Sequence, residues 1–245
     1  MNKHEVLQRI ARYLMLHSSF TNNIGLFEGK MGIVLFFMNY SRYTKCKRYE
    51  KFAGELIDEI YAEISYEEEF CSIASFDEIK DQVIIVSGFS KAHAMTGWRL
   101  GYILSNSVLS SAMCKIHQYV IMSAPSPAQY GAIEGLRHCQ EEVMKMRDSY
   151  RTRRNFLVKT FNDMGLETFK PLGAFYVFPC IQSTGLSSDE FCEKLLEDQK
   201  VACVPGTAFG PAGEGFIRVS YAYSIEELKI ATEKIKIFVD KIKSR

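Results

Sequence analysis

Among the seven cysteines of this 245-residue chain, at positions 46, 71, 114, 139, 180, 192 and 203, there is no C-x-x-C pair, and no histidine stands at ligand spacing from them. That removes the usual metal-ligand pattern, so no metal site is expected, and the thiols read as reduced and mostly buried. An excess of charge is also missing, with 30 Lys and Arg against 29 Asp and Glu. Nothing in the overall electrostatics therefore favours nucleic acid or an anionic membrane as a partner. Long apolar runs are absent, the longest uncharged one, Met31 to Met38, being far too short to span a bilayer. The first residues also lack a basic stretch followed by an apolar one, and the expectation is a soluble, cytoplasmic protein. Repeats and low-complexity tracts are missing too. Tryptophan is limited to one residue, Trp98.

Residues 5 to 16 carry Val6, Leu7, Ile10, Ala11 and Leu14 at helical spacing. Gly25-Leu26-Phe27-Glu28-Gly29-Lys30-Met31-Gly32 superficially matches a phosphate-binding loop. Its spacer is one residue short, however, and Met31 replaces the magnesium-binding hydroxyl, so it reads as a glycine turn before a helix, Ile33 to Tyr40. A further helix is expected from about Tyr49 to Ile64, with Phe52, Ala53, Leu56, Ile57, Ile60, Tyr61 and Ile64 on one face. From residue 82 strands and helices alternate, which indicates an α/β or α+β unit. Gln82 to Ser87 reads as a buried strand, and Met95 to Ser105 as a turn and a second apolar segment. Pro125 to Ala128 starts helical sequence that runs to Met164, with Arg147, Arg151, Arg153 and Arg154 as a solvated face. Leu166 to Ile181 reads as strand, turn and strand. Ser188-Asp189-Glu190 caps a helix to about Gln199, short strands flank the glycine-rich loop Pro205 to Gly215, and Ser224 and Glu227 form a capping box.

Trp98 lies in the stretch that carries chemistry. The apolar run Val83-Ile84-Ile85-Val86 delivers Lys91 among small residues, and Arg99 follows eight positions later. A lysine at the end of a buried strand is either a snorkelling surface residue or, with its pKa lowered by desolvation or a nearby cation, a Schiff-base amine.

Ser90-Lys91-x-x-x-Met95-x-Gly97-Trp98-Arg99-x-Gly101-Tyr102 resembles the cofactor-lysine motif of the class I/II pyridoxal-phosphate aminotransferases. Further matches keep the family's order: Gln118-Tyr119 through Ser123-Ala124-Pro125 and Ala128-Gln129, then Gly173 to Pro179, Pro205-Gly206-x-x-Phe209-Gly210 and Phe216-Ile217-Arg218-Val219-Ser220. The resemblance runs from about Asp58 or Tyr66 to the C-terminus. It covers the second half of a family member.

The resemblance implies a partial fold type I aminotransferase of α/β class. A remnant of the large-domain sheet (about 65–150) and an α+β small domain (165–245) follow a helical segment, 1–64. It implies pyridoxal 5'-phosphate as cofactor, an α-amino acid and a 2-oxo acid as substrates, and a possible homodimer. Lys91 would form the Schiff base and move the proton at the substrate Cα, with Ser90 beside it in the cofactor site. Arg99 would contact the phosphate and Arg218 the substrate α-carboxylate. Asp58 and Tyr61, in Asp58-Glu59-Ile60-Tyr61, would meet the pyridinium nitrogen and the ring hydroxyl. The family places an apolar strand before that Asp, whereas residues 52 to 57 here have helical periodicity, which leaves helix positions as the competing reading.

The opening, with G-L-F-E-G-K-M-G-I-V-L-F-F and Tyr40-Ser41-Arg42-Tyr43, is similar to the start of a lanthionine synthetase C-like protein, without that family's zinc ligands. The aminotransferase family's phosphate-seating glycine loop, ring-stacking aromatic and Asn find no match in residues 1 to 57. The implied transamination is therefore expected to be impaired, and a non-catalytic remnant or interaction module is the alternative.

Overall fold

Val83, Ile84 and Ile85 are buried, and Ile84–Gly88 forms the central strand, β2, of a three-stranded sheet. β-branched residues suit a pleated surface covered on both sides. In this computed structural model, which describes residues 56–67, 70–77 and 83–244, β2 pairs in parallel with β1, Leu56–Asp58, in the register Leu56 to Ile84 and Asp58 to Val86. On its other side β2 pairs antiparallel with β3, Gly101–Leu104. The helices read over residues 5 to 16 and 33 to 40, with the glycine turn between them and Cys46, lie outside the described residues.

The helix expected from Tyr49 to Ile64 is corrected where the structure describes it. Residues 56–58 are strand and 60–63 a turn closed by Ala62 N–H donating to the Glu59 carbonyl at 3.0 Å. Apolar spacing alone did not reveal that Ile84–Val86 offers a ladder to Leu56–Asp58; backbone pairing overrode the local period.

The described residues divide into two compact units, 56–63 with 70–140 and 64–67 with 141–244. In the first unit, Asn106 caps α1, Ser107–Val120, its side chain accepting from Leu109 N–H at 2.9 Å. This helix was not foreseen, and none of its residues is buried. α2, Ser126–His138, starts with proline in its first turn as expected and buries a face of small residues, Ala128, Ala132 and Gly135.

In the second unit α3, Gln140–Asp163, buries Val143, Arg154, Leu157 and Phe161. A sheet of order β4-β6-β5 joins β4 (Tyr176–Val177), β6 (Ile217–Ser220) and β5 (Val204–Pro205), all antiparallel. Glycine is obligatory beside β5, because a Cβ on Gly206 would collide with the Gly213 carbonyl and one on Gly213 with that of Gly206. α4, Ser188–Gln199, has its capping box on Ser187 and Glu190, one residue before the expected cap, and α5, Ile225–Lys243, has the foreseen box on Ser224 and Glu227. Phe191 and Phe238 meet edge to face at 5.2 Å between these helices, beside the fully buried Leu195 and Val239. Burying each such side chain contributes on the order of 1.5–3 kcal/mol.

Among the described residues no helix is long and apolar enough to cross a membrane, and no cluster of three His, Cys, Asp or Glu could hold a metal. The expectation of mostly buried cysteines needs correction: Cys192 is buried, but Cys71 and Cys114 are exposed and Cys139, Cys180 and Cys203 half-buried. Burial pushes the Cys192 thiol up to about 11 and the Cys203 thiol up to about 12.

The solvated arginine face on α3 is also corrected, at Arg154, which is 0% exposed. Its Nη1 donates to the Pro171 carbonyl at 2.9 Å and its Nη2 to Glu67 Oε1 at 2.5 Å, while Asn155 Oδ1 accepts from Nε at 3.1 Å. Its guanidinium also lies 4.6 Å from the Tyr66 ring centroid. Arg151 Nη2 donates to the Tyr66 carbonyl at 2.9 Å. A run of arginines reads as solvated only until the chain supplies partners from far away; here Glu67 and the Pro171 carbonyl, with the neighbouring Asn155, satisfy the buried fork. Arg154→Leu is expected to lower the unfolding free energy by roughly 2–4 kcal/mol, through the acceptors it strands, measured by urea denaturation. Arg154 first, and then Lys170, hold the Glu67 carboxyl below its ordinary value of 4.5. The stabilisation from this pairing is complete above that value and is lost as pH falls through the lowered native one. Glu67→Gln should accordingly flatten the acid limb of the stability profile and leave its alkaline limb unchanged.

Candidate functional site

The chain from Phe89 to Met95 folds back on itself before β3. Met95 N–H donates to the Phe89 carbonyl at 3.1 Å, Ala94 N–H to the Lys91 carbonyl at 3.2 Å and Thr96 Oγ1 to the Ser90 carbonyl at 2.8 Å. Phe89, Ala92 and Met95 are buried anchors, so Ser90 and Lys91, both half-buried, sit on a braced turn. The small face of α2 lets this turn approach. A Cβ on Gly131 would lie 3.4 Å from the Trp98 ring, and one on Gly135 would lie 3.2 Å from His93 Cδ2.

Gly88 and Gly101 face each other where β2 and β3 meet, and a Cβ on Gly88 would stand 3.0 Å from both Gly101 Cα and the Leu100 carbonyl oxygen. This close approach brings Arg99 beside the lysine turn. Arg99 adopts the left-handed conformation (φ 54°, ψ 46°) after the short helix Thr96–Trp98, and its Nη1 donates to the Thr96 carbonyl at 3.0 Å. It forms one wall of an open cavity of about 470 Å³, lined also by Ala94, Gly97, Trp98, Pro125 and Ala128.

Parallel pairing puts the carboxyl ends of β1 and β2 side by side. Asp58 closes β1 in register with Val86, and Glu59 N–H donates to the Val86 carbonyl at 3.0 Å. The buried Glu59 carboxylate accepts from Ser72 Oγ at 2.9 Å and Ile73 N–H at 3.1 Å, which ties the next loop to this edge. Tyr61 follows in the turn, half-buried, and Lys91 Nζ lies 5.8 Å from its ring centroid. Asp58, Tyr61, Ser90, Lys91 and Arg99 thus all belong to the first unit, at one end of its sheet, where ligands of parallel sheets bind.

Arg218 belongs to the second unit. It sits on β6, half-buried, with its guanidinium 4.5 Å from the ring centroids of both Tyr176 and Phe209. Tyr176 pairs with Ser220, which shares a face of β6 with Arg218, and Phe209 ends the short helix Gly206–Phe209 after β5. The base of β4 is fastened by two phenols, Tyr66 and Tyr221, which both donate to the Ala174 carbonyl. Burial raises both phenols, Tyr221 up to about 12. Tyr176 and Phe209 stood within motifs already recognised but carried no assigned role; strand alternation would have found Tyr176. Nothing local pointed to Glu59.

The first unit thus holds a half-buried amine near a phenol, with a carboxylate residue and a guanidinium at the same end of its sheet. The aminotransferase class I and II family matches residues 47–235, and the chain belongs to that family. Its fold is accordingly fold type I in part. It is 55% identical over 186 residues to a putative aminotransferase, YugH, of Bacillus subtilis, covering 76% of this chain and 48% of that protein. It is 44% identical to an aspartate aminotransferase of Pyrococcus abyssi, covering 73% of this chain and 47% of the relative. The structure of an aromatic aminotransferase from Pyrococcus horikoshii superposes with a TM-score of 0.73 at 42% identity, over 76% of this chain and 51% of that one. The chain thus spans about half the length of the relatives it matches.

A left-handed backbone costs a non-glycine residue about 1–2 kcal/mol. Arg99→Gly should therefore raise the unfolding free energy by about 0.5–1 kcal/mol, net of glycine's larger unfolded-state entropy, while Arg99→Ala, which keeps the strain, should not. Urea denaturation of the two variants checks this.

Proposed function

We propose that this polypeptide serves a pyridoxal-phosphate-dependent transamination between an α-amino acid and a 2-oxo acid. The observation that carries the reading is the parallel register of β1 with β2, which sets the Asp58 edge and the Lys91 turn at one end of the sheet, with Lys91 Nζ 5.8 Å from the Tyr61 ring centroid. The functional groups suit the cofactor: an amine for its aldehyde, a guanidinium at a cavity wall for its phosphate, a phenol for its ring hydroxyl and a carboxylate residue for its ring nitrogen. Lys91, Arg99, Tyr61 and Asp58 take those places in that order, with Ser90 beside the lysine. When bound, pyridoxal phosphate supplies a ring that accepts the electrons released at the substrate Cα. The amine of Lys91 would take the proton from Cα and return one during the reverse half of the exchange, a general acid and base role. Arg218 holds the substrate α-carboxylate as a fork and so orients the Cα–H bond.

The catalytic power of this polypeptide alone is low in this reading. Residues 1 to 57 offer no counterpart of the family's phosphate-seating glycine loop, stacking aromatic or Asn, and the opening of the sequence is instead similar to the start of a lanthionine synthetase C-like protein. We assign residues 65–150 to what remains of the large domain and 165–245 to the small domain, with homodimerisation as in the family. Adding pyridoxal phosphate to the purified chain should produce a weakly saturating visible absorbance band that Lys91→Ala abolishes, and borohydride reduction should fix the pyridoxyl label on Lys91. Transamination should be slow or undetectable. A chain with no Lys91-dependent band is instead a non-catalytic module, and rapid turnover of an amino acid overturns the claim of impairment.

A further inference from the structure

We infer that Tyr176 and Phe209 are positioning residues that set the plane of the Arg218 guanidinium and keep its charge available to an incoming carboxylate. The inference rests on the reading of Arg218 as the carboxylate fork.

Both ring centroids lie 4.5 Å from the guanidinium carbon. Among the described residues, no Asp or Glu forms an ion pair with Arg218. Fully burying a charge is costly unless it is paired, and the completely buried Arg154 in the same unit has its partner in Glu67. Aromatic faces offer Arg218 a different kind of support. They attract the cation through their ring electrons and restrain the guanidinium plane, but they leave the in-plane N–H edges unoccupied. A structural carboxylate would consume those same edges. The rings also exclude water from part of the cation, which strengthens a charge-assisted hydrogen bond formed there.

The rings are themselves held. Phe178 packs edge-on against Phe209 with centroids 5.6 Å apart at 80°, and Phe175 lies 4.8 Å from Tyr176. Tyr176 enters from β4 and Phe209 from the loop after β5, so β6 receives support from both neighbouring strands of its sheet. The geometry points to a monocarboxylate end of a small molecule as the ligand of this edge. The side chain of that molecule is not read by these three residues.

The test uses the full chain, labelled with 15N, and follows the Arg218 Nε–H resonance, assigned by its disappearance in Arg218→Lys. Propionate is the probe and propionamide its neutral control. Propionate should shift this resonance and propionamide should not. Phe209→Leu and Tyr176→Leu, which keep apolar volume but lose the ring face, should weaken propionate binding about tenfold, whereas Phe209→Tyr and Tyr176→Phe should retain it. Wild-type affinity in both leucine variants overturns the inference, as does equal loss in Tyr176→Phe and Tyr176→Leu, which would assign the effect to the hydroxyl. Should the leucine variants not fold, the free wild-type chain still decides. Ring currents must displace its Arg218 Nε–H resonance from the other arginines, and an undisplaced resonance overturns the inference. A wild-type chain indifferent to propionate, with a displaced resonance, refutes the carboxylate reading of Arg218 itself.

Discussion

Parallel pairing between Leu56–Asp58 and Ile84–Val86 is the constraint on which the first unit depends. Parallel strands align their carboxyl ends, so the turn after one strand and the turn after the other emerge side by side. Every candidate cofactor residue of this unit leaves the sheet at or just beyond that edge. Glu59 strengthens the arrangement with its amide on the Val86 carbonyl and its carboxylate on the loop at Ser72 and Ile73. Antiparallel β3 then returns the chain through the Gly88 and Gly101 contact, and Arg99 is held in an unfavourable backbone conformation beside the lysine turn.

The second unit uses its cations in two opposite ways. Arg154 is completely buried and spends its donors on Glu67, Asn155 and the Pro171 carbonyl, which makes it a structural tie between distant parts of the chain. Arg218 is half-buried and rests against aromatic faces. Both are arginines within regular elements, and their environments decide what each can do. A guanidinium whose fork is filled holds structure, while one supported through its faces can receive a ligand.

Much of this was legible in the sequence where the signal is local. The two serine caps, the proline start of α2 and the apolar run at Val83–Val86, buried through Ile85, depend on neighbouring residues, and each was found within a residue or two. The lysine motif, with its glycines, the lone Trp98 and Arg99, was enough to resemble one family, and residues 47–235 match that family. Reading failed where a distant partner decides. The pattern at Leu56, Ile57, Ile60 and Ile64 fits a helix face, and only pairing with residues almost thirty positions further on makes part of it a strand. Arg154 has the local look of a solvated residue, and its partners Glu67 and Pro171 lie on either side of its own helix in the sequence.

By itself the sequence determined the family and, apart from α1, most of the strands and helices from residue 82, because spacing and capping chemistry are encoded over a few residues. Tertiary structure alone decided that Asp58 ends a strand, that Arg154 is buried and that Arg218 rests on Tyr176 and Phe209. These outcomes depend on hydrogen-bond ladders, burial and cation–ring contacts between segments far apart along the chain, and no local pattern records them.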